Sequence, residues 1–276
     1  MAVDTPAKIV VIGAGPIGLE TALYARFLGY EVDLLERGRV AESMRGWGHV
    51  RLFSPAGMNC SQLGRAALRA QNANHTLPGD DQLLTGRELI ESYYLPLSET
   101  DLLADGLWTG VEVLAIGRED LLKGDQIGQA SRADRPFRLL IRSADDSESL
   151  RPADVVIDCS GTYGHPNWLG QGGIPALGEL AATGLIDYTL PDLSGEDRQR
   201  FSARHTLLVG GGYSAATTAV ALAKLAAEAP ETHVTWLTRS DRDPPIRRVA
   251  DDSLPQRDAL AGTANRLAAE DASIRH

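Results

Sequence analysis

Two glycine-rich turns carry the most definite chemistry in this sequence of 276 residues. They read Gly13-Ala14-Gly15-Pro16-Ile17-Gly18 and Gly210-Gly211-Gly212-Tyr213-Ser214-Ala215. Each turn joins an apolar, strand-like run to a helix-like run, which is the setting of a dinucleotide fingerprint. Such a turn binds a pyrophosphate because its glycines let the backbone come close and the helix N-terminus presents free N–H groups. Two turns in one chain predict two nucleotides.

In the first turn each glycine has a separate role. Gly13 allows the tight turn out of the strand, Gly15 leaves room for the pyrophosphate, and Gly18 lets helix and sheet pack closely. Glu36 ends the next strand, where its carboxylate can accept hydrogen bonds from ribose hydroxyls and would repel a 2′-phosphate. We therefore expect FAD or NAD here and not NADP, and an ordinary strand-to-helix turn is the alternative interpretation. The residues assigned to this site are Gly13, Gly15, Pro16, Ile17, Gly18, Glu36 and Arg37.

The second turn is followed by basic residues and not by an acid. Ala215 replaces the third glycine, Ser214 is expected to cap the helix, and Arg239 stands where the first unit has its acid. A guanidinium at that place can hold a 2′-phosphate through a forked contact, which predicts NADPH; a solvated basic face is the alternative. Three nearby arginines can contribute to the same contact, namely Arg242, Arg247 and Arg248. The residues assigned to this site are Gly210, Gly212, Tyr213, Ser214, Ala215 and Arg239.

The elements that position these turns form a pattern that occurs twice. Strand, helix and strand are expected at residues 8–12, 16–28 and 31–36, and again at residues 205–209, 214–229 and 233–238. Further strands are expected at residues 110–117 and 137–143, as a small antiparallel ribbon, and at residues 154–159. The predicted fold class is α/β with two Rossmann-like dinucleotide-binding units. The predicted domains are residues 1–165 and 204–276, joined by a linker at residues 166–203.

The composition excludes several classes of function. The net charge of −10 argues against nucleic acid or an anionic membrane as the main partner, because both are polyanions. The apolar run at residues 9–19 is interrupted by glycines and a proline, so we expect no membrane span and a cytoplasmic location. Cys60 and Cys159 are the only cysteines and form no C-x-x-C pair. No histidines have the spacing of metal ligands, so no metal is predicted.

These motifs together resemble the two-dinucleotide-binding-domain flavoproteins, in particular the flavin-containing monooxygenase and thioredoxin-reductase-like branch. The resemblance covers most of the chain, and Asp158-Cys159-Ser160-Gly161-Thr162 is similar to the Ala-Thr-Gly strand end of that family. It implies FAD at the first turn, in residues 1–165, and NADPH at the second, in residues 204–276. The chain lacks the C-x-x-C and F-x-G-x-x-x-H signatures of the two branches. The family returns after its NADPH domain to complete the FAD domain, whereas this chain ends at His276, so we expect a C-terminally truncated protein.

The resemblance implies an FAD-dependent, NADPH-using oxidoreductase, most simply a monooxygenase that oxygenates a small organic substrate through reduced flavin. Two alternatives stay open: a reductase that passes electrons to a protein or a quinone, and a non-catalytic nucleotide sensor. A homodimer is also left open. Trp47, His49 and Arg51 lie in a loop that passes near the flavin in this family, and an ordinary surface loop is an equal alternative. Cys60 is interpreted as an inert residue and not as a peroxide-reactive thiol.

Overall fold

The computed structural model describes residues 7–239 and 243–276 and divides the chain into two compact units. The first unit comprises Met1–Gly48 and Pro55–Pro166, and the second comprises His49–Ser54 and Asn167–His276. Most of the residues predicted to be a linker, 166–203, therefore group with the second unit. No helix within the two described ranges is both long enough and apolar enough to span a bilayer.

The first unit is built on a parallel sheet. Its elements are β1 (Lys8–Ile12), α1 (Pro16–Phe27), β2 (Glu31–Glu36), α2 (Glu42–Arg45), α3 (Ala56–Asn59), α4 (Gln62–Gln71), α5 (Gly86–Leu89), a π-helix (Ile90–Tyr94), α6 (Leu95–Ser98), β3 (Leu107–Thr109), β4 (Val111–Arg118), β5 (Phe137–Ser143), β6 (Glu148–Ala153) and β7 (Val155–Asp158). The strand order β3-β2-β1-β7 is parallel throughout. The valine- and leucine-rich sequences of β1 and β2 suit strands covered on both faces. The predicted first βαβ unit is confirmed.

A second sheet in this unit is antiparallel, in the order β4-β5-β6. The predicted ribbon of two strands is confirmed for β4 and β5, which pair from Val111 with Ser143 to Arg118 with Phe137. Strand β6 was not predicted, because its sequence, Glu-Ser-Leu-Arg-Pro-Ala, is largely polar and exposed. Alternate side chains of β5, namely Leu139 and Ile141, are buried against the parallel sheet.

The second unit repeats the βαβ pattern. Its elements are α7 (Arg198–Phe201), β8 (His205–Val209), α8 (Tyr213–Glu228), β9 (His233–Leu237), α9 (Pro255–Glu270) and β10 (Ile274–Arg275), and its parallel sheet has the order β10-β9-β8. The alanine-rich stripe of α8 lets α9 approach it closely, and both helices contribute to a core around Trp236 and Leu222. The α/β fold class with two Rossmann-like units is therefore confirmed.

The segment before β8 has a fixed structure of its own. The buried carboxylate of Glu179 accepts hydrogen bonds from the N–H groups of Leu169 and Ala176 and from the hydroxyl of Tyr188. Leu193, further along, is only 4% exposed and belongs to the core of the second unit. Leu193 therefore connects this segment to the core of the second unit.

Candidate functional site

Gly13 and Gly18 are required by the packing of the first turn itself. Gly13 follows β1 with φ +96°, and its N–H donates to the carbonyl of Leu35, 2.7 Å away. A Cβ atom on Gly13 would lie 2.7 Å from the carbonyl oxygen of Cys159, and one on Gly18 would lie 1.7 Å from the carbonyl oxygen of Gly13. Both distances are far below van der Waals contact, so neither position has room for a side chain.

At Gly15, by contrast, no contact among the described residues requires a glycine. A Cβ atom there would meet no described atom within 4 Å beyond its chain neighbours, and its φ of −78° is open to any residue. Pro16 begins α1 directly after it, and the side chain of Ile17 is 70% exposed. The space in front of Gly15 is therefore open and faces the N-terminus of α1, where free N–H groups and the helix dipole favour an anion.

The sheet order places this turn at a topological switch point. Strand β1 lies between β2 and β7, so the chain continues from β1 to β2 on one side and returns later to place β7 on the other side. The N–H of Cys159, directly after β7, donates to the carbonyl of Ile12 at 2.8 Å. The Ser160 hydrogen bonds keep the pKa of Asp158 below its usual range at this strand end. Open α/β sheets bind ligands outside the carboxyl ends of the strands at such a point.

Glu36 lies at the turn and is already part of its structure. Its carboxylate accepts hydrogen bonds from the N–H groups of Ala14 and Gly38, both at 2.8 Å, and the residue is 9% exposed. These bonds tie the β1–α1 turn to the end of β2, a role that sequence reasoning missed. A carboxylate has about four lone-pair positions, so hydroxyl donors can still bind. The exposed guanidinium of Arg37 lies beside Gly164, on which a Cβ atom would be 3.4 Å from Nη2.

The second turn has the same open position and a different internal contact. Gly210 has φ +142°, its N–H donates to the carbonyl of Leu237 at 2.9 Å, and its own carbonyl accepts from the buried indole Nε1 of Trp236 at 2.8 Å. A Cβ atom on Gly212 would meet no described atom within 4 Å beyond its chain neighbours. Gly212 itself is the N-cap of α8, so the prediction that Ser214 caps this helix is wrong.

The strand register corrects the predicted position of Arg239. Ile12 pairs with Leu35 in the first unit, and Val209 pairs with Leu237 in the second. The residue equivalent to Glu36 is therefore Thr238, and Arg239 corresponds to Arg37. The sequence prediction was off by one residue because it counted to the last polar residue and could not see which residues pair. Arg239 is exposed at the end of β9.

A segment that we call the Pro245 segment, residues 243–254, lies against the second turn. The carbonyl oxygen of Pro245 is 3.7 Å from the place that a Cβ atom on Gly211 would occupy, and the hydroxyl of Tyr213 donates to the carbonyl of Arg247 at 3.4 Å. Ile246 is buried, and its N–H and carbonyl both pair with the side-chain amide of Asn265 on α9 at 2.9 Å. Helix α9 thus holds this segment at the turn.

The arginines of this segment differ in their partners. Arg248 makes a two-pronged ion pair with Asp258, at 2.7 and 2.5 Å, and this contact keeps the pKa of Asp258 below its usual range. The guanidinium of Arg248 is therefore held by the carboxylate of Asp258 on α9. The side chain of Arg247 is exposed beside the turn. Arg242 lies outside the described residues.

The remaining candidates belong to different units. Trp47 belongs to the first unit, where a Cβ atom on Gly86 would touch its ring at 2.9 Å, so it packs against the start of α5. His49 and Arg51 belong to the second unit. Cys60 is 3% exposed, and burial raises the pKa of its thiol to about 11. A thiol in that state is a poor nucleophile, as expected. No cluster of metal-ligating side chains occurs among the described residues.

Comparison with known proteins supports the fold and its first turn. Residues 2–46 match the family model described as Pyridine nucleotide-disulphide oxidoreductase. No curated protein sequence matches the chain. Among solved structures, the bacillithiol disulfide reductase Bdr of Bacillus cereus has a TM-score of 0.64 at 15% identity, over 98% of this chain and 66% of the reductase. The FAD-bound cadaverine monooxygenase DfoA of Erwinia amylovora has a TM-score of 0.59 at 16% identity, over 87% of this chain and 53% of the monooxygenase.

A third structure, of OTEMO with FAD and NADP, has a TM-score of 0.55 at 15% identity and is covered over 45% of its length. The chain thus spans two thirds or less of the proteins that it resembles. At these identities the likeness establishes the fold, and the family model establishes the sequence pattern of the first βαβ unit. The chain therefore has the fold that these solved structures share, and its residues 2–46 match the family model described as Pyridine nucleotide-disulphide oxidoreductase.

Proposed function

We propose that the protein is an FAD-dependent oxidoreductase that uses NADPH, with FAD at the first turn and NADPH at the second. The observation that carries this proposal is the open glycine in each turn. Gly13 and Gly18 are explained by internal contacts, whereas Gly15 and Gly212 face space that no described side chain fills. A missing Cβ at such a position is useful when a pyrophosphate approaches the backbone.

The residues that end or follow β2 and β9, the second strand of each βαβ unit, favour different nucleotides in the two units. At the first turn the carboxylate of Glu36 is fixed beside the space where a ribose would lie, and it would repel a 2′-phosphate. At the second turn Thr238 takes the equivalent place, so this position carries a neutral hydroxyl and does not oppose a 2′-phosphate. Arg239 and Arg247 both present exposed guanidinium groups near this end. This arrangement favours NADPH over NADH.

The chain's own residues would bind and orient the two nucleotides. The N-termini of α1 and α8 receive the pyrophosphates, Glu36 fixes the first ribose, and Arg239 fixes the 2′-phosphate of the second. The flavin, when bound, supplies the two-electron chemistry, with NADPH as reductant. We favour a monooxygenase that acts on a small organic molecule, in keeping with the cadaverine monooxygenase DfoA. The similarity to the reductase Bdr supports a second candidate, a flavin-linked reductase.

The cytoplasm is the proposed location of this activity. Both cysteines, Cys60 and Cys159, are free thiols, which suits a reducing compartment.

The test begins with the purified protein and added FAD. Bound flavin and its anaerobic bleaching by NADPH are expected, and peroxide release with and without candidate substrates separates a monooxygenase from a reductase. Arg239→Ala should raise the dissociation constant of NADPH roughly 10- to 100-fold through lost charge-assisted hydrogen bonds, with NADH nearly unaffected. Arg69→Ala, an exposed arginine on α4, is the matched control. A protein that binds no flavin and oxidises no NADPH would refute the proposal. An equal loss of affinity for NADPH and NADH in Arg239→Ala would refute the role of Arg239 in binding the 2′-phosphate.

A further inference from the structure

The second unit contains a cavity of about 520 Å³. Its walls are helices α8 and α9, the segment at residues 49–53 and the segment at residues 190–194. Both segments and both helices belong to the same compact unit. Among the described residues that line the cavity, none belongs to either glycine turn. The volume lies within the range of small-molecule sites in proteins, so the cavity is a candidate for a ligand other than the two nucleotides.

Contacts within the second unit hold the walls of this cavity in place. Leu193 is buried in the core of the unit, and the N–H of Asp192 donates to the carboxylate of Asp197 at 2.9 Å. The ring of Phe53 packs edge-on against Tyr213 on α8, with 5.9 Å between ring centroids. The space is therefore formed before any ligand enters, which lowers the ordering cost of binding.

The lining is largely apolar and gives no net preference for either sign of charge. More than half of the lining residues are aliphatic, aromatic or proline, with Val220 on α8 and Leu260 on α9. Lys224 and Asp192 carry opposite charges, and Arg51 already has an interaction partner. A charged ligand would meet one attracting and one repelling side chain while it lost its hydration, and that loss is costly in apolar surroundings. The cavity therefore favours an uncharged ligand.

Two threonine hydroxyls on the α8 wall can accept hydrogen bonds. Thr217 donates to the carbonyl of Tyr213 at 2.9 Å, and Thr218 donates to the carbonyl of Ser214 at 3.1 Å. Because both protons are used within α8, each hydroxyl oxygen has a free lone pair and no proton for a ligand. The polar group that suits this wall is therefore a donor, such as the hydroxyl of an alcohol or a phenol.

We propose that this cavity binds an uncharged organic molecule with an apolar body and a hydroxyl group that donates to the threonine oxygens of α8. The proposal does not rest on FAD or NADPH binding and can be tested without either nucleotide. Naphthol is the probe. Naphthoate and naphthylmethylammonium carry the same rings with a negative or a positive charge, and methoxynaphthalene keeps the rings without a donor.

Calorimetric titration of the whole chain at neutral pH compares the four compounds. Naphthol should show saturable binding. Both charged compounds should bind at least about tenfold more weakly, because each loses hydration without a net electrostatic gain. Methoxynaphthalene should bind about two- to tenfold more weakly than naphthol, which is the range expected for one hydrogen bond between neutral groups.

Two pairs of variants locate the site. Ala259→Trp places an indole in the cavity and should abolish naphthol binding, whereas Ala269→Trp, exposed on the same helix and outside the described lining, should not. The double variant Thr217→Val, Thr218→Val should weaken naphthol about two- to tenfold and leave methoxynaphthalene unchanged. Its control is Thr183→Val, since Thr183 also donates to a backbone carbonyl of the second unit but is not among the described lining residues.

Three results would overturn the proposal. One is the absence of saturable naphthol binding, and another is a charged compound that binds as tightly as naphthol or more tightly. The third is an equal loss of binding in Ala259→Trp and Ala269→Trp. Thermal unfolding of each variant checks that it is folded. If Ala259→Trp does not fold, the threonine variants decide, and equal affinity for naphthol in the double variant and in Thr183→Val would overturn the proposal.

Discussion

Replacing Gly15 by alanine separates a role in binding from a role in folding. Two effects of this change on the free energy of unfolding oppose each other. Alanine restricts the unfolded chain and adds about 0.4–1 kcal/mol, because φ is −78° and the Cβ meets no described atom beyond its chain neighbours. Gly15 is also the N-cap of α1, where alanine is a poorer cap than glycine by about 1 kcal/mol. We therefore expect the free energy of unfolding of Gly15→Ala to lie within about 1 kcal/mol of the value for the parent protein.

The same change should damage nucleotide binding. A methyl group in front of the turn keeps a pyrophosphate from the N–H groups at the start of α1. Loss of one charge-assisted hydrogen bond is worth about 1.5–3 kcal/mol, so the dissociation constant of FAD should rise roughly 10- to 100-fold. Gly18→Ala provides the contrast, because its Cβ would lie 1.7 Å from the carbonyl oxygen of Gly13. Overpacking of this kind costs about 1–3 kcal/mol or more, so this variant should lose stability.

Urea unfolding followed by circular dichroism measures the first quantity, and titration of FAD followed by its fluorescence measures the second. The expected pattern is a stable Gly15→Ala that binds FAD poorly and an unstable Gly18→Ala. A Gly15→Ala protein that binds FAD with the parent dissociation constant would refute the assignment of this turn to a pyrophosphate. A large loss of stability in Gly15→Ala would show that the open space in front of the turn is not open in solution.

Four further results are expected. Thr238→Glu places a carboxylate at the position equivalent to Glu36, so the ratio of NADPH to NADH affinity should fall at least about tenfold in parallel titrations. Asn265→Leu removes both hydrogen bonds to Ile246, and it should weaken NADPH binding while FAD binding is retained. Trp236→Phe removes the indole donor and leaves the carbonyl of Gly210 without this hydrogen bond. It should lower the free energy of unfolding by about 1–3 kcal/mol in a urea titration. Cys60 should resist iodoacetamide at neutral pH and react only after the protein unfolds. Burial raises the pKa of this thiol to about 11, so the thiol stays protonated at pH values below that. Labelling of Cys60 in the native protein would contradict its burial.

The main strands and both glycine turns could be predicted because their signals are local. An apolar run followed by spaced glycines and a helix-like pattern needs no knowledge of distant residues. Strand β6 gave no such signal, since it contains charges and a proline and is recognised only by its pairing with β5. The equivalence of Thr238 and Glu36 was missed for a related reason. Which residue of the second strand lies next to the glycine turn depends on how that strand pairs with the first, and the sequence alone does not give this pairing.

Contacts between distant residues account for the rest of what the sequence did not reveal. The amide of Asn265 is far along the chain from Ile246, and nothing in its neighbours marks it as a partner. One signal was available for Trp236, since a tryptophan within a buried strand must place its indole N–H on an acceptor. The strand β9 is short and lies beside β8, so the carbonyls after β8 were candidates for that acceptor.

The two turns differ at the third fingerprint position, where the second has Ala215 and the first has Gly18. In the first turn the carbonyl of Gly13 lies where a Cβ atom on residue 18 would be, so only glycine fits there. In the second turn the equivalent carbonyl, of Gly210, is held by the indole of Trp236 on the neighbouring strand β9. The Cβ of Ala215 then has room, at 3.5 Å from the position that a Cβ on Gly210 would take. The third position of the fingerprint thus accepts alanine in the second turn and requires glycine in the first, while the open glycine in front of the helix is present in both turns.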